Sequence, residues 1–174
     1  QLVEFFGEDA EDAAHHARAM VRALQREGIG YSWAVFTDPT EQQNAWDVRR
    51  LGLGLITNVK GATKGQAFIE DACIPLPQLA LYVEDIQNKC REEGVKLVVY
   101  AHSSVGVLHL RPELDLHNVE DVKKMRRISE FAFGRCIHYE GAWAGEHGDG
   151  LVRGEFIEKF FGSEVYGAFR DVKT

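Results

Sequence analysis

Residues 95–112 read VKLVVYAHSSVGVLHLRP and carry the strongest local structural signal of the chain. Val95–Ala101 is apolar and rich in β-branched residues, which favours a strand. This run leads directly into His102, after which Ser103-Ser104-Val105-Gly106 has the composition of a turn. Leu108–Arg111 is then expected to return as a second strand. The stretch predicts a hairpin with one histidine on each side of its turn.

Because of their spacing, His102 and His109 can belong to one site only if the chain turns between them. On one extended strand, residues seven positions apart would lie roughly 23 Å from each other on opposite faces. On a helix they would lie about two turns apart. Only a chain that folds back between them lets both imidazoles approach one metal ion at about 2.0–2.1 Å. His102 and His109 are therefore candidate metal ligands if the chain turns between them.

A second segment, residues 144–150, reads AGEHGDG and carries the groups that would complete such a site. Glu146 can supply a carboxylate oxygen and leave a coordination position open for water or substrate. His147 would face the opposite way on a regular strand, so Gly145 and Gly148 must bend the chain to aim both side chains together. With an unperturbed pKa of about 6.5, His147 is suited to be a general base. The alternative for His147 is a role in orienting Glu146.

The remaining elements are predicted from periodicity and from helix caps. Strand-like runs are Gln1–Phe6, Tyr31–Thr37 and Gln66–Cys73. Helices are expected after Asp9, after Asp38-Pro39, over Leu79–Glu93, and from Asn118 to about Gly134 or Ile137. This order indicates an α+β fold, a ferredoxin-like sandwich whose antiparallel sheet is covered on one face by helices. We expect residues 1–174 to form a single domain.

Composition sets limits on partners and location. The 174 residues are 45% hydrophobic, enough for one sizeable core, and the net charge of −7 includes no basic run that would suit nucleic acid or an anionic membrane. No apolar run approaches the roughly 20 residues of a membrane span, and no signal-peptide pattern opens the chain. Three cysteines without CxxC spacing favour a reducing cytoplasm over a disulfide framework. The strand-like start without Met suggests part of a longer protein.

The two histidine segments support a family resemblance, together with Phe68–Pro75 (FIEDACIP) and Phe160-Phe161-Gly162. With these segments, the chain resembles the C-terminal cap domain of FAD-linked oxidases of the vanillyl-alcohol-oxidase type. The resemblance covers nearly the whole chain. The likeness is closest to D-2-hydroxyacid dehydrogenases, in particular bacterial D-2-hydroxyglutarate dehydrogenases in which an iron–sulfur half follows the flavin half. The family's first segment usually reads Gly-His-x-Gly-Asp-Gly-Asn-x-His. The positions at which this chain differs from it include Ala101, Val105 and Val107, and these differences are typical of the iron–sulfur subgroup.

The resemblance implies an FAD-binding domain upstream of this cap, and in that subgroup an iron–sulfur domain downstream. It implies a divalent metal, zinc or a similar ion, held by His102, His109 and Glu146, which would chelate the hydroxyl and carboxylate of a 2-hydroxy acid. His147 would take the hydroxyl proton while a hydride passes to the flavin, giving a 2-oxo acid. The chain alone should not turn over.

Arginines would bind the carboxylate of such a substrate, because guanidinium pairs with carboxylate in a bidentate manner. Arg49 matches by position an arginine with which the family grips substrate. Arg111 lies two residues after His109 and would share its face of a strand. The family's lysine would fall near Ile69 and is missing.

Two functions of other classes fit the same residues. In a metal-dependent hydrolase, the metal ligands would activate water and His147 would shuttle protons. In a non-catalytic ferredoxin-like binding module, the histidines would be structural. Activity without flavin would favour the first, and unchanged metal content after His109→Ala would favour the second.

Overall fold

A computed structural model describes residues 1–58 and 60–173 of the chain. They form two compact units, Gln1–Ile56 and a second unit that begins at Thr57. Among the described residues, none of the helices combines the length and apolar character needed to cross a bilayer.

The first unit contains two helices that begin where capping residues predict them. Helix α1 (Ala10–Glu27) begins after Asp9, whose side chain accepts hydrogen bonds from two backbone N–H groups of the first turn, and it ends at Gly28 in the left-handed conformation. Helix α2 (Pro39–Thr57) is capped in the same way by Asp38, which accepts from the N–H groups of the next turn at 2.9 and 3.1 Å. Both predicted helix starts are confirmed.

The predicted strands at Gln1–Phe6 and Tyr31–Thr37 are wrong, because neither range is a strand in the described part of the chain. A strand requires a neighbouring strand to pair its backbone groups. Here side chains contact the backbone instead: His16 lies 3.3 Å from the Phe6 carbonyl and Gln42 donates to the Phe36 carbonyl at 3.0 Å. Most residues of both ranges are exposed, Tyr31 and Phe6 among them, so their apolar character led neither to a strand nor to burial.

The second unit is built on an antiparallel sheet centred on its longest strand. The strands are β1 (Lys64–Gly65), β2 (Ala72–Cys73), β3 (Leu97–His102) and β4 (Val107–Leu114). Each of the first three pairs with β4, and β3 and β4 form the predicted hairpin. The strand predicted over Gln66–Cys73 is wrong for most of its length, since only Ala72–Cys73 forms a strand there, although Gln66 and Asp71 also donate to carbonyls of β4. A bend at Asp71, with φ of 80°, takes the preceding residues out of the sheet.

Helices α3 (Leu79–Glu92) and α4 (Val119–His138) pack on one face of β4, and α4 begins at the predicted cap, Asn118. Alternate residues of β4, Leu108, Leu110 and Leu114, belong to the same buried cluster as residues of both helices. The short helix α5 (Gly150–Arg153) and the long helix α6 (Ile157–Lys173) follow. The predicted α+β class with an antiparallel sheet is confirmed. The intervening β4 residues are left on the opposite face, where they carry the site.

Candidate functional site

The β3–β4 hairpin places two histidines beside each other. A short 3-10 turn at Ser103–Val105 is followed by Gly106 with φ of 76°, where a Cβ would lie 2.1 Å from the Ile74 carbonyl oxygen. Only glycine fits this turn without displacing neighbouring backbone. The register pairs Tyr100 with His109 and His102 with Val107. As a result the two imidazole centroids are 5.2 Å apart, across the turn that separates them in sequence.

Three imidazoles converge on one carboxylate oxygen. Glu146 Oε1 lies 3.5 Å from His102 Nε2 and 3.1 Å from His109 Nε2. His147 Nε2 lies 3.4 Å from the same oxygen. Ligand atoms of a tetrahedral zinc site are about 3.3 Å apart when each bond is about 2.0–2.1 Å. The distance from each nitrogen to the Glu146 oxygen is therefore close to the distance between two ligands of one such ion.

His109 is the buried member of this group, with 6% of its surface exposed, whereas Glu146 and His147 are close to half exposed. Burial lowers the pKa of His109, and the neighbouring His147 lowers it further. The His109 imidazole is therefore held neutral, the form in which a histidine binds metal. Its Nδ1 has no hydrogen-bond partner among the described residues.

Asp71 holds the segment that carries Glu146 and His147. Its side chain is fully buried and accepts hydrogen bonds from the Glu146 N–H at 2.8 Å and the His147 N–H at 2.9 Å. Its own carbonyl accepts from the Gly145 N–H at 2.7 Å. Burial alone would raise the pKa of Asp71, but these two N–H groups and the Arg153 guanidinium outweigh it and hold the pKa below the usual value. Asp71 is therefore an anion whose acceptor oxygens already have partners.

Arg153 is the counter-ion of Asp71, and 4% of its surface is exposed. Its Nη2 lies 3.3 Å from Asp71 Oδ2, and its Nη1 donates to the Trp143 carbonyl at 3.2 Å. It also donates to the carbonyls of Glu70 and Gly148. Arg153 therefore connects Trp143 and Gly148, which lie on either side of Glu146 in the sequence, with Glu70 and Asp71.

Glu70 connects the general-base candidate to an arginine. One carboxylate oxygen lies 3.3 Å from His147 Nδ1, and the other accepts from Arg111 Nη2 at 2.7 Å. The carboxylate favours the tautomer in which His147 Nδ1 carries the proton, which leaves Nε2 as the basic atom. Glu70, like Asp71 and Arg153, was not identified from the sequence. The available signal was two adjacent acids inside the otherwise apolar run FIEDACIP.

The arginines predicted to bind substrate occupy different parts of the molecule. Arg111 lies on the same face of β4 as His109 and is paired with Glu70. Arg49 belongs to the first unit, on α2, where its guanidinium lies 5.9 Å from the centre of the Trp46 ring. At the position near which the family has a lysine, Ile69 is fully buried in the core. The roles of both arginines in substrate binding stay predictions.

Asp71, His109, Glu146 and His147 each offer a ligand atom within 4.8 Å of the others. Asp71 is the least suitable of the four, because its oxygens already accept two backbone hydrogen bonds and face an arginine. His102, a ligand predicted from the sequence, is not among these four residues, but its Nε2 lies 3.5 Å from Glu146 Oε1. The donor set that remains, imidazole nitrogens and one carboxylate, suits zinc or a similar divalent ion.

The family of FAD linked oxidases, C-terminal domain, matches residues 1–174, and the chain belongs to this family. It is 35% identical to D-2-hydroxyglutarate dehydrogenase of Haemophilus influenzae over 180 residues, covering 99% of this chain and 17% of that protein. It is 31% identical over 179 residues to the enzyme of that name from Escherichia coli, with the same coverage. Identity to the mitochondrial cytochrome-type D-lactate dehydrogenase of Arabidopsis thaliana is 23% over 172 residues, 99% of this chain and 30% of that protein. The resemblance to this family and to D-2-hydroxyglutarate dehydrogenases is confirmed, and the iron–sulfur half stays a prediction.

Proposed function

We propose that this chain is the substrate- and metal-binding domain of an FAD-dependent dehydrogenase that oxidises a D-2-hydroxy acid to a 2-oxo acid. The observation that carries the proposal is the convergence of three imidazole Nε2 atoms within 3.1–3.5 Å of one Glu146 oxygen. Membership in a family of FAD-linked oxidases and similarity to D-2-hydroxyacid dehydrogenases support it.

His102, His109 and Glu146 would hold a divalent metal ion, zinc or a similar one. With neutral imidazoles, the cluster has three carboxylates, Glu70, Asp71 and Glu146, against two guanidiniums, Arg111 and Arg153. This excess of negative charge would repel a carboxylate substrate, and a divalent cation reverses its sign. Such an ion also lowers the pKa of a hydroxyl group that binds beside it.

His147 accepts the substrate hydroxyl proton at Nε2 in this proposal. Glu70 supports the role because its carboxylate lies 3.3 Å from Nδ1, which favours a proton on Nδ1 and leaves Nε2 as the acceptor. Arg111, on the same strand face as His109, and Arg49 would bind substrate carboxylates. FAD supplies the acceptor for the hydride of the substrate.

The chain spans about 17% of the length of its D-2-hydroxyglutarate dehydrogenase relatives. We therefore place it in a longer protein whose upstream domain binds FAD, and which has a downstream iron–sulfur domain if it follows the bacterial subgroup. Cys73, Cys90 and Cys136 form no disulfide within the described ranges, and a cytoplasmic location is part of the same proposal.

The test is metal content and activity of the longer protein, loaded with FAD, beside its His102→Ala/His109→Ala variant. The wild type should hold about one divalent ion per chain at this site and oxidise D-2-hydroxyglutarate or D-lactate, and the variant should lose both properties. His117→Ala is the control, because His117 is exposed and pairs with Asp115 away from the cluster. Equal metal content in variant and wild type would exclude the ligand assignment. Hydrolytic activity without FAD would favour the hydrolase instead.

A further inference from the structure

The segment that carries Glu146 and His147 belongs to no helix or strand. In such a segment, the orientation of the side chains depends on the contacts that hold the backbone in place. Both backbone N–H groups, of Glu146 and His147, donate to the two oxygens of one carboxylate, that of Asp71. The atoms that fix this segment therefore come from a residue 75 positions earlier in the chain.

Asp71 is itself held in an uncommon conformation. Its φ of 80° lies in the left-handed region, which costs a residue other than glycine roughly 1–2 kcal/mol. Its N–H donates to the Leu108 carbonyl on β4 at 2.6 Å, so the bend is anchored to the strand that carries His109. In this conformation the Asp71 carboxylate faces the N–H groups of the Glu146 segment. A buried anion in this position requires a counter-ion, and Arg153 supplies it.

We propose that Asp71 and Arg153 are positioning residues of this site, which align Glu146 and His147 with the histidines of the β3–β4 hairpin. The inference rests on the proposed function for its consequence in catalysis, but the alignment itself is a property of this chain. When Asn replaces Asp71, the N–H groups of Glu146 and His147 compete for one acceptor oxygen, and Arg153 is left buried without its anion. The Glu146 segment should then open locally.

The experiment compares Asp71→Asn with wild type in the longer protein. Hydrogen exchange measured by mass spectrometry reports the amide groups of residues 144–150, and titration with zinc after chelator treatment reports the metal site. We expect faster exchange in this segment and a zinc affinity lower by about tenfold to a hundredfold, the usual effect of losing a group that orients a ligand. With D-2-hydroxyglutarate, kcat should fall by a similar factor because His147 is displaced.

Asp85→Asn is the matched control. Asp85 also forms an ion pair within the second unit, with Arg135 at 2.6 Å, and accepts from the Tyr139 hydroxyl at 2.8 Å. Both partners lie at the C-terminal end of α4 and belong to neither the ligand group nor the Asp71–Arg153 pair. Asp85→Asn should lower the melting temperature without changing exchange in residues 144–150, zinc affinity or kcat. Arg153→Lys keeps the charge but has fewer donors for the carbonyls that Arg153 contacts, so its effects should be smaller than those of Arg153→Met.

Each outcome decides between positioning and general stability. If Asp71→Asn only lowers the melting temperature, as Asp85→Asn does, and leaves exchange and zinc affinity unchanged, the inference is wrong. If the wild type oxidises no D-2-hydroxy acid, the proposed function fails, whereas exchange and zinc affinity still test the positioning role. Faster exchange and weaker zinc binding in Asp71→Asn, with neither change in Asp85→Asn, support the positioning role.

Discussion

Glu70 gives a single-residue test of how His147 is oriented, because its two oxygens face His147 and Arg111. Glu70→Gln keeps the shape of the side chain but removes its charge, so it weakens the contact with His147 Nδ1. We expect kcat for D-2-hydroxyglutarate to fall by about tenfold, with zinc content unchanged because Glu70 is not a proposed ligand. Steady-state kinetics and elemental analysis of the FAD-loaded longer protein measure the two quantities.

Glu92→Gln is the control for this variant, since Glu92 is exposed and lies 3.8 Å from Lys89 on α3. It should match wild type in both measurements. Unchanged kcat in Glu70→Gln would show that His147 does not depend on this carboxylate. Loss of zinc together with kcat would instead place Glu70 among the groups that hold the metal.

At the same scale, the sequence predicted the side chains that meet but not those that support them. His102, His109, Glu146 and His147 were identified because glycine-flanked histidines and a carboxylate indicate a site whose backbone turns tightly. Asp71, which holds the backbone of Glu146, lies 75 positions before it, and Arg153 lies 82 positions after Asp71. Local spacing carries no information on such contacts, so the buried ion pair could not be predicted.

Among the elements, the β3–β4 hairpin depends on Gly106. In Gly106→Ala, the new Cβ would meet the Ile74 carbonyl oxygen at 2.1 Å and the backbone would keep an unfavourable φ of 76°. Gly94→Ala has a similar φ of 67° but no described atom within 4 Å of the new Cβ. We expect Gly94→Ala to cost roughly 1–2 kcal/mol of unfolding free energy and Gly106→Ala clearly more. Urea denaturation measures both, and equal losses would show that the close contact relaxes freely.

The end of α3 is joined to α4 by an ion-pair cluster that makes stability depend on pH. Hydrogen bonds from Arg127 and then Lys89 lower the pKa of Glu93 from 4.5 to about 2. Because the pKa is lowered on folding, the contribution is complete above the unfolded value and is lost as the pH falls towards 2. Glu93→Gln should reduce the unfolding free energy by about 1 kcal/mol at pH 7, where partly exposed Arg127 limits the effect.

This difference should narrow as the pH is lowered from 5 towards 3, which urea denaturation at each pH measures. Glu130→Gln is the control, because Glu130 is exposed and lies 3.8 Å from Arg126 on the same helix. A Glu93→Gln deficit that stays constant over this range would mean that packing, rather than charge, accounts for it.

Elements with local signals were predicted well, and elements that need distant partners were not. Side-chain capping predicted the helices that begin after Asp9, Asp38 and Asn118, because a cap contacts only the first turn of its own helix. The β3–β4 hairpin followed from an apolar run and a turn. Gln1–Phe6 and Tyr31–Thr37 carried comparable apolar signals, but side chains rather than a neighbouring strand contact their backbone. Whether an apolar run forms a strand depends on such a partner, and the residues of the run do not show whether one is present.

For the whole molecule, the division into two units predicts where metal binding resides. Every proposed ligand lies in the second unit, as do the Asp71–Arg153 pair and the core cluster beneath β4. A fragment of residues 57–174 that folds should therefore bind zinc with an affinity within about threefold of the entire chain, since no ligand has been removed. Arg49 lies outside this fragment, so zinc binding should be equally insensitive to Arg49→Ala in the entire chain.

Isothermal titration with zinc compares the fragment, the entire chain and Arg49→Ala, and circular dichroism establishes that each is folded. The same fragment with His109→Ala is the matched control. It should lose zinc binding because the substitution removes the buried ligand, and neither fragment contains the first unit. A folded fragment that binds no zinc, beside an entire chain that does, would mean that residues 1–56 supply part of the site. The ligand set of His102, His109 and Glu146 would then be incomplete.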